Sequence, residues 1–289
     1  MPAMIDLRRR IKSVRNTQQI TRAMKSVATA KFKQAQRRVL ESRPNWHNYP
    51  ELAAKISAYV SKSSHPLLER REEKKIKVLV LSSDKGLAGA FNSKLLEETQ
   101  SFLEERSSRC DIRLILLGRK ADLFFKKTSF PIERTYVDRV QKLSEEELKE
   151  LAGSVMQEYI INKSDAVYVA YNEFKSILSP QVTITRLLPL EFQETEEGEV
   201  QLIPDWEPGM ISFLNNVLPL YVEGQVWHFY CESIAAEHAA RMMAMDNATN
   251  NAEDLIDDLT LSLNKLRQAS ITTELLEIIS AVEALAQNR

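Results

Sequence analysis

The sequence predicts an α/β fold plus a long α coiled coil: antiparallel N- and C-terminal helices forming a stalk, with an open α/β sheet domain inserted between them. Three observations carry this. Only 7 of 289 residues are glycine, all between Gly86 and Gly224, about a third of the usual ~7%. Both ends repeat apolar residues at alternating three- and four-residue steps. The middle alternates short apolar runs with helical stretches, the pattern of a sheet with helix crossovers.

From Ala3 to Arg43 the chain has no Gly or Pro. Leu7, Ile11, Val14, Gln18, Thr21, Lys25, Ala28, Phe32, Ala35 and Val39 define one seam, apolar at both ends and polar in the middle. At 1.5 Å per residue such a helix is about 60 Å long, more than a small domain wraps. Pro44 is expected to end it, and a shorter helix around Glu51 to Lys62 to follow, closed by His65-Pro66. This assigns residues 1–62 to the first helical region.

The 65 residues after Gly224 again lack Gly and Pro. Met242, Met245, Thr249, Ala252, Ile256, Leu259, Leu263 and Leu266 form the second seam, with Thr249 as a mild polar interruption. A helix this long without internal caps reads as coiled coil, assigned to 210–289. Residues 191–209, acidic and carrying two prolines, are expected to be an exposed linker.

Residues 76–190 hold the sheet domain. Ile76–Leu81, Ile112–Leu117 and Asp165–Ala170 read as buried strands, and Gln181–Leu190 alternates like an outer one. Helices are expected at Asn92–Arg106, at Arg119–Lys127 and from the Ser144/Glu147 capping box towards Ile161.

Charge is unevenly divided. Residues 1–43 carry twelve Lys or Arg against Asp6 and Glu41, a net +10 in a chain of net −1. The remaining 246 residues therefore sum to −11, and the basic arm calls for an acidic partner, a membrane surface or nucleic acid. Phe32 is the one aromatic among those basic residues and falls on the seam, which argues against base stacking but leaves duplex or shape-based RNA binding open. Apolar runs such as Val78–Leu81 and Ala166–Tyr171 fall far short of the ~18 residues that span a bilayer. Cys110 and Cys231 stand 121 positions apart without ligand spacing, so buried or idle thiols in a reducing compartment are expected.

No motif for catalysis stands out. The loop Ser82–Asn92 follows a strand and precedes a helix, where nucleotides often bind, but lacks both GxGxxG and a Gly-Lys-Ser/Thr ending. His47, His65, His228 and His238 lack metal spacing, and Glu253, Asp254, Asp257 and Asp258 read as a solvated helix face. Catalytic, cofactor-binding and metal-binding residues are each expected to be none.

Four blocks, taken together, resemble one family. Ile5–Gln36 (IDLRRRIKSVRNTQQITRAMKSVATAKFKQAQ), Val80–Ser93 (VLSSDKGLAGAFNS), Glu232–Asp246 (ESIAAEHAARMMAMD) and Asn264–Ile279 (NKLRQASITTELLEII) resemble the gamma subunit of F-type ATP synthases, in that family's order. The resemblance implies a coiled coil around a Rossmann-like domain, acting as the rotor shaft inside a hexamer of alternating alpha and beta subunits. One gamma per three of each would couple ion flow, read as protons, to ATP synthesis or hydrolysis on beta, and help regulate both. The epsilon subunit and the c-subunit ring are the implied partners at the foot; no nucleic acid is. Membrane association would come only through the complex.

Residue by residue, the resemblance places Arg22, Met24 and Lys25 at a collar near an acidic lever loop of beta. It places Arg267 and Gln268 against a beta loop higher on the shaft. Glu274, Leu275, Ile278, Ile279, Val282 and Leu285 match a tip that turns in an apolar sleeve. Ala88 stands where many members have Cys, Ser26 where many have Met, and Ala281-Val282-Glu283 replaces a run of small residues. No transit-peptide pattern is read at the start, so the bacterial form is expected, peripheral on the cytoplasmic face of the cell (inner) membrane. Two alternatives remain at this stage: a nucleotide-dependent enzyme built on the α/β domain, and an RNA-binding coiled coil.

Overall fold

The computed structural model describes the backbone of residues 2–59, 65–174, 181–191 and 210–287; within the helices, the side chains of 2–3, 42–59, 210–211, 213 and 281–287 are not described. The chain divides into two compact units, Met1–Val27 with Met242–Arg289, and Ala28–Arg241.

The first unit joins the start of α1 (Pro2–Tyr59) to the end of α5 (Met210–Gln287). Lys25 meets Asp246 and Thr21 meets Thr249, so the partner numbers run in opposite directions and the helices are antiparallel. Ile11, Met245, Ala252 and Ile256 are buried, and Leu7, Val14, Met242, Leu259 and Leu263 are half-buried. Leu266 departs from the expected seam at 41% exposure. The antiparallel numbering sets it opposite the first turn of α1, where the facing helix runs out.

Thr249 does more than interrupt. Its single hydroxyl proton is shared between Thr21 Oγ1, at 2.8 Å, and the Met245 carbonyl, at 2.7 Å, and Thr21 donates to the Gln18 carbonyl at 3.0 Å. Two buried hydroxyls facing each other are satisfied in one alignment of the helices, which makes the polar layer a register device.

The second unit is a doubly wound sheet. Strands β1 (Lys75–Leu81), β2 (Asp111–Leu117), β3 (Ile132–Tyr136), β4 (Ala166–Glu173) and β5 (Gln181–Leu188) lie in the order β3-β2-β1-β4-β5. The first four are parallel and β5 pairs antiparallel at the edge of β4. Helices α2 (Phe91–Ser107) and α3 (Arg119–Phe125) supply Leu95, Leu96, Leu103, Ala121 and Phe125 to one face. Helix α4 (Glu145–Ile160) covers the other with Leu148, Leu151, Val155 and Tyr159. Cover on both faces is why the strands read as continuous apolar runs. Ser144 caps α4 as its sequence indicates: the hydroxyl accepts from Glu147 N at 3.2 Å and Glu147 Oε2 accepts from Ser144 N at 2.9 Å.

Three expectations are corrected, and one strand is added. Helix α1 passes through Pro44 and Pro50 and absorbs Glu51–Tyr59, so Pro44 is no terminus; Pro219 lies inside α5 in the same way. A proline forfeits one N–H bond and crowds the preceding carbonyl, which a helix long on both flanks survives. Ala28, Phe32, Ala35 and Val39 are buried, but Phe32, Ala35 and Val39 join the core of the sheet's α4 face rather than a two-helix seam, with the Phe32 ring 5.3 Å from Phe174. β5 shows graded exposure rather than strict alternation. β3, a short edge strand of mixed polarity, is an element that sequence reasoning missed. The linker read at 191–209 lies, apart from Glu191, outside the described residues.

Lys77, inside the apolar run of β1, is buried between Glu133, at 2.8 Å, and Glu158, which also takes Arg134 at 2.9 Å. Burial lowers the lysine's pKa while Glu133 opposes that shift. Gly118, between β2 and α3, has φ +105°, and a Cβ there would stand 2.5 Å from the Ser82 carbonyl oxygen. Gly118→Ala is expected to lower unfolding free energy by about 2 kcal/mol or more, since both the backbone angle and the contact oppose a side chain. Urea titration followed by circular dichroism measures it, and an unchanged midpoint would contradict the close approach.

Candidate functional site

In a doubly wound sheet the place for a ligand is the crevice at the carboxyl ends of the strands where the order reverses. Here that is the junction of β1 and β4, both parallel neighbours at the centre of the sheet. The polar groups there are engaged by the chain itself. Ser233 of α5 donates its hydroxyl to the Leu81 carbonyl at the end of β1, at 3.1 Å. Glu232 Oε2 accepts from the backbone N–H of Phe174, just past β4, at 2.8 Å. Ala235, Ala236 and Ala239 are fully buried, small enough to let α5 approach closely.

The following loop is held by the same helix. Arg241 donates to the Gly86 carbonyl and to the Lys85 carbonyl, each at 3.3 Å, and pairs with Glu237 Oε1 at 2.7 Å. Glu237 also accepts from Gln141 Nε2 at 2.9 Å, while Gln141 Oε1 accepts from Lys31 Nζ at 3.0 Å. Tyr230 adds a hydroxyl bond to the Val140 carbonyl at 2.7 Å. The block ESIAAEHAARMMAMD is thus, from Glu232 to Arg241, a docking face for the sheet.

A helix N-terminus offers unpaired amides that suit an anion. At α3 the Asp84 carboxylate takes that position, accepting from Arg119 N at 3.1 Å, and it also accepts from Asp138 N at 2.9 Å and Val140 N at 3.0 Å beyond β3. Ser83 and Asn92 bond to each other across the loop. The Ser82–Asn92 loop is therefore folded on internal contacts. No group of His, Cys, Asp and Glu able to hold a metal occurs among the described residues. Cys231 is buried, its thiol pushed up to about 12 by burial.

The residues singled out as contacts fall in the first unit. Arg22 is exposed, Met24 half-buried, and Lys25 paired with Asp246. Arg267 and Gln268 are exposed on α5. Glu274 accepts from Ser270 Oγ at 3.3 Å, and Leu275, Ile278 and Ile279 are more than half exposed, as are Leu276 and Ile271 or nearly so. Val282 and Leu285 lie on helical backbone whose side chains are outside the described residues. The structure groups Arg22, Met24 and Lys25 within one turn of α1, while the exposed apolar turns lie near the end of α5. Asp246 and Thr21, which sequence reading gave no site role, border the collar; the run of small and polar residues around Thr249 was the available signal.

A family model described as ATP synthase matches residues 3–285. A chain from Pelotomaculum thermopropionicum named ATP synthase gamma chain is 41% identical over 99% of this chain and all of its own length. One of the same name from Solibacter usitatus is 42% identical over 98% and 99%. Among solved structures, a chain of the central stalk and c-ring of Tetrahymena thermophila mitochondrial ATP synthase has a TM-score of 0.59 at 25% identity, covering 79% of this chain and 99% of its own. A chain from Euglena gracilis mitochondrial ATP synthase, solved with OSCP, F1 and c-ring, has a TM-score of 0.66 at 20% identity, covering 98% and 95%, and shares the fold.

Two measurements check the docking face. Glu237→Ala leaves the Arg241 guanidinium buried without its carboxylate and is expected to cost about 3–5 kcal/mol of stability. His238, buried beside Arg241, is lowered from 6.5 to about 4, so it stays neutral in the folded chain while the unfolded chain takes up a proton below 6.5. Stability therefore falls as pH drops through that window. Burial raises Glu237, whose contribution has the opposite sign and is lost as pH rises through its folded value. Comparing the protein with His238→Gln isolates the histidine: between pH 6.5 and 5 the unmodified chain should lose about 1.5 kcal/mol more than the variant. Parallel denaturation curves at both pH values would contradict a buried neutral ring.

Proposed function

The chain belongs to the ATP synthase gamma-chain family, and from that premise we propose that it is the central rotor shaft of an F-type ATP synthase. It couples ion flow, taken as proton flow, through the membrane sector to ATP synthesis or hydrolysis at the beta subunits, and helps regulate both. The observation that carries this reading is similarity to gamma chains over essentially the entire length, from the basic start of α1 to the last turns of α5. The chain itself contributes no catalytic group in this reading: the chemistry belongs to beta, at alpha–beta interfaces. The internal filling of the sheet's crevice supports that division of labour.

The partners proposed are three alpha and three beta subunits around the paired helices, with epsilon and the c-ring at the α/β domain. The complex lies on the cytoplasmic face of the bacterial membrane. Among the described residues no helix is long and apolar enough to cross a membrane, which accords with attachment through other subunits. The contact roles are proposals as well: Arg22, Met24 and Lys25 at the lever loop of beta, Arg267 and Gln268 at a higher beta loop, and Glu274 to Leu285 in the apolar sleeve. The exposed leucines and isoleucines from Ile271 to Ile279 support the last, since an apolar row left in water marks a surface to be covered.

Steady-state ATP hydrolysis by matched alpha and beta subunits, with and without this chain, tests the reading. One copy per hexamer and a rise in turnover are expected; neither assembly nor stimulation would refute it. Removing Glu274–Arg289 should speed dissociation of the assembled complex at least tenfold, about 1.4 kcal/mol, while the melting temperature of the isolated chain changes little, since the described residues 274–280 are all exposed.

A further inference from the structure

The collar carries its own counter-ion. Lys25 Nζ lies 2.5 Å from Asp246 Oδ1 across the two helices of the first unit, with side chains 41% and 35% exposed. Lys25 follows Thr21 by one turn of α1, and Asp246 precedes Thr249 by one turn of α5. The buried Thr21–Thr249 hydroxyl bond therefore holds the ion pair in register at 2.8 Å one turn away. Arg22, three positions before Lys25 and exposed, is left as the more outward charge of the collar.

An ion pair this open to water is worth little: about 0.2–1 kcal/mol, close to thermal energy. It is formed at rest and easily surrendered. Its effect at a distance is larger in kind, because a lysine beside an aspartate presents almost no net charge beyond a Debye length of about 8 Å. We propose that Asp246 is a positioning residue that sets the collar's grip. It holds Lys25 between encounters with an acidic loop of the surrounding subunits and takes the lysine back as that loop departs. A collar that met each loop without the Asp246 carboxylate beside Lys25 would sit in deeper wells, and leaving each well would slow the turn. The proposal rests on the shaft reading above and names what moderates its charged contact.

The test uses the assembled alpha–beta–gamma complex carrying Asp246→Asn, Lys25→Gln or both, with ATP hydrolysis measured against ionic strength. Asp246→Asn is expected to lower turnover two- to fivefold at about 50 mM salt, with the difference closing by about 0.5 M as screening removes the excess attraction. In the Lys25→Gln background the same substitution should change nothing, since no lysine is left to release. Thermal unfolding of the isolated chain should move little in any variant, as expected for a surface pair. Unchanged or faster turnover in Asp246→Asn overturns the proposal. So does an equal loss in the Lys25→Gln background, which would make Asp246 a structural residue independent of the lysine. If the unmodified chain fails to assemble or stimulate, the shaft reading itself has failed, an outcome distinct from either.

Discussion

The second unit depends on how one segment of α5 meets the carboxyl ends of β1 and β4. A helix laid over that junction buries backbone groups that would otherwise need water or a ligand, and each must find a partner. Glu232 and Ser233 supply two of them, and Arg241 reaches the carbonyls of Lys85 and Gly86. Burying Arg241 in turn requires a carboxylate, which Glu237 provides at 2.7 Å, steadied by Gln141. The alanines between these groups are the spacing condition: larger side chains would hold the helix off and break the polar contacts.

The same constraint shapes a sheet whose strand order is β3-β2-β1-β4-β5. After β1, Gly118 packs against Ser82, and the Asp84 carboxylate accepts from the first amide of α3 and from Asp138 N and Val140 N beyond β3. The carboxyl ends of β1 and β4 thus form a joint for a helix. For a shaft, such a joint has an evident value: load entering the α/β domain passes into α5 through directional bonds and a buried ion pair rather than through apolar packing alone.

The first unit follows different physics. Its apolar seam supplies association, while the buried Thr21–Thr249 hydroxyls set the alignment in which Lys25 meets Asp246. The burial ends near Leu263, where α1 runs out, and α5 continues with Leu275, Ile278 and Ile279 in solvent. These turns are stable as a helix in the chain yet carry apolar groups that nothing in the described residues covers, which suits a surface completed by other subunits.

Much was legible in the sequence because it is local. Three- and four-residue spacing marks a helix face whatever surrounds it, and Ser144 with Glu147 caps a helix through bonds three residues apart. The runs around Val78 and Val169 announce strands covered on both sides. Tertiary structure alone decided the rest. The survival of α1 through Pro44 depends on the stability of its flanks, not on proline's own preference. The short strand β3 exists because β2 offers it an edge. Lys77 is tolerated in a buried strand because Glu133 and Glu158, 56 and 81 positions away, close on it. The docking face and the Lys25 counter-ion likewise join residues 58 to 221 positions apart. Spacing along a chain records which face a residue shares with its neighbours; it holds no record of which distant charge or carbonyl folding will bring opposite.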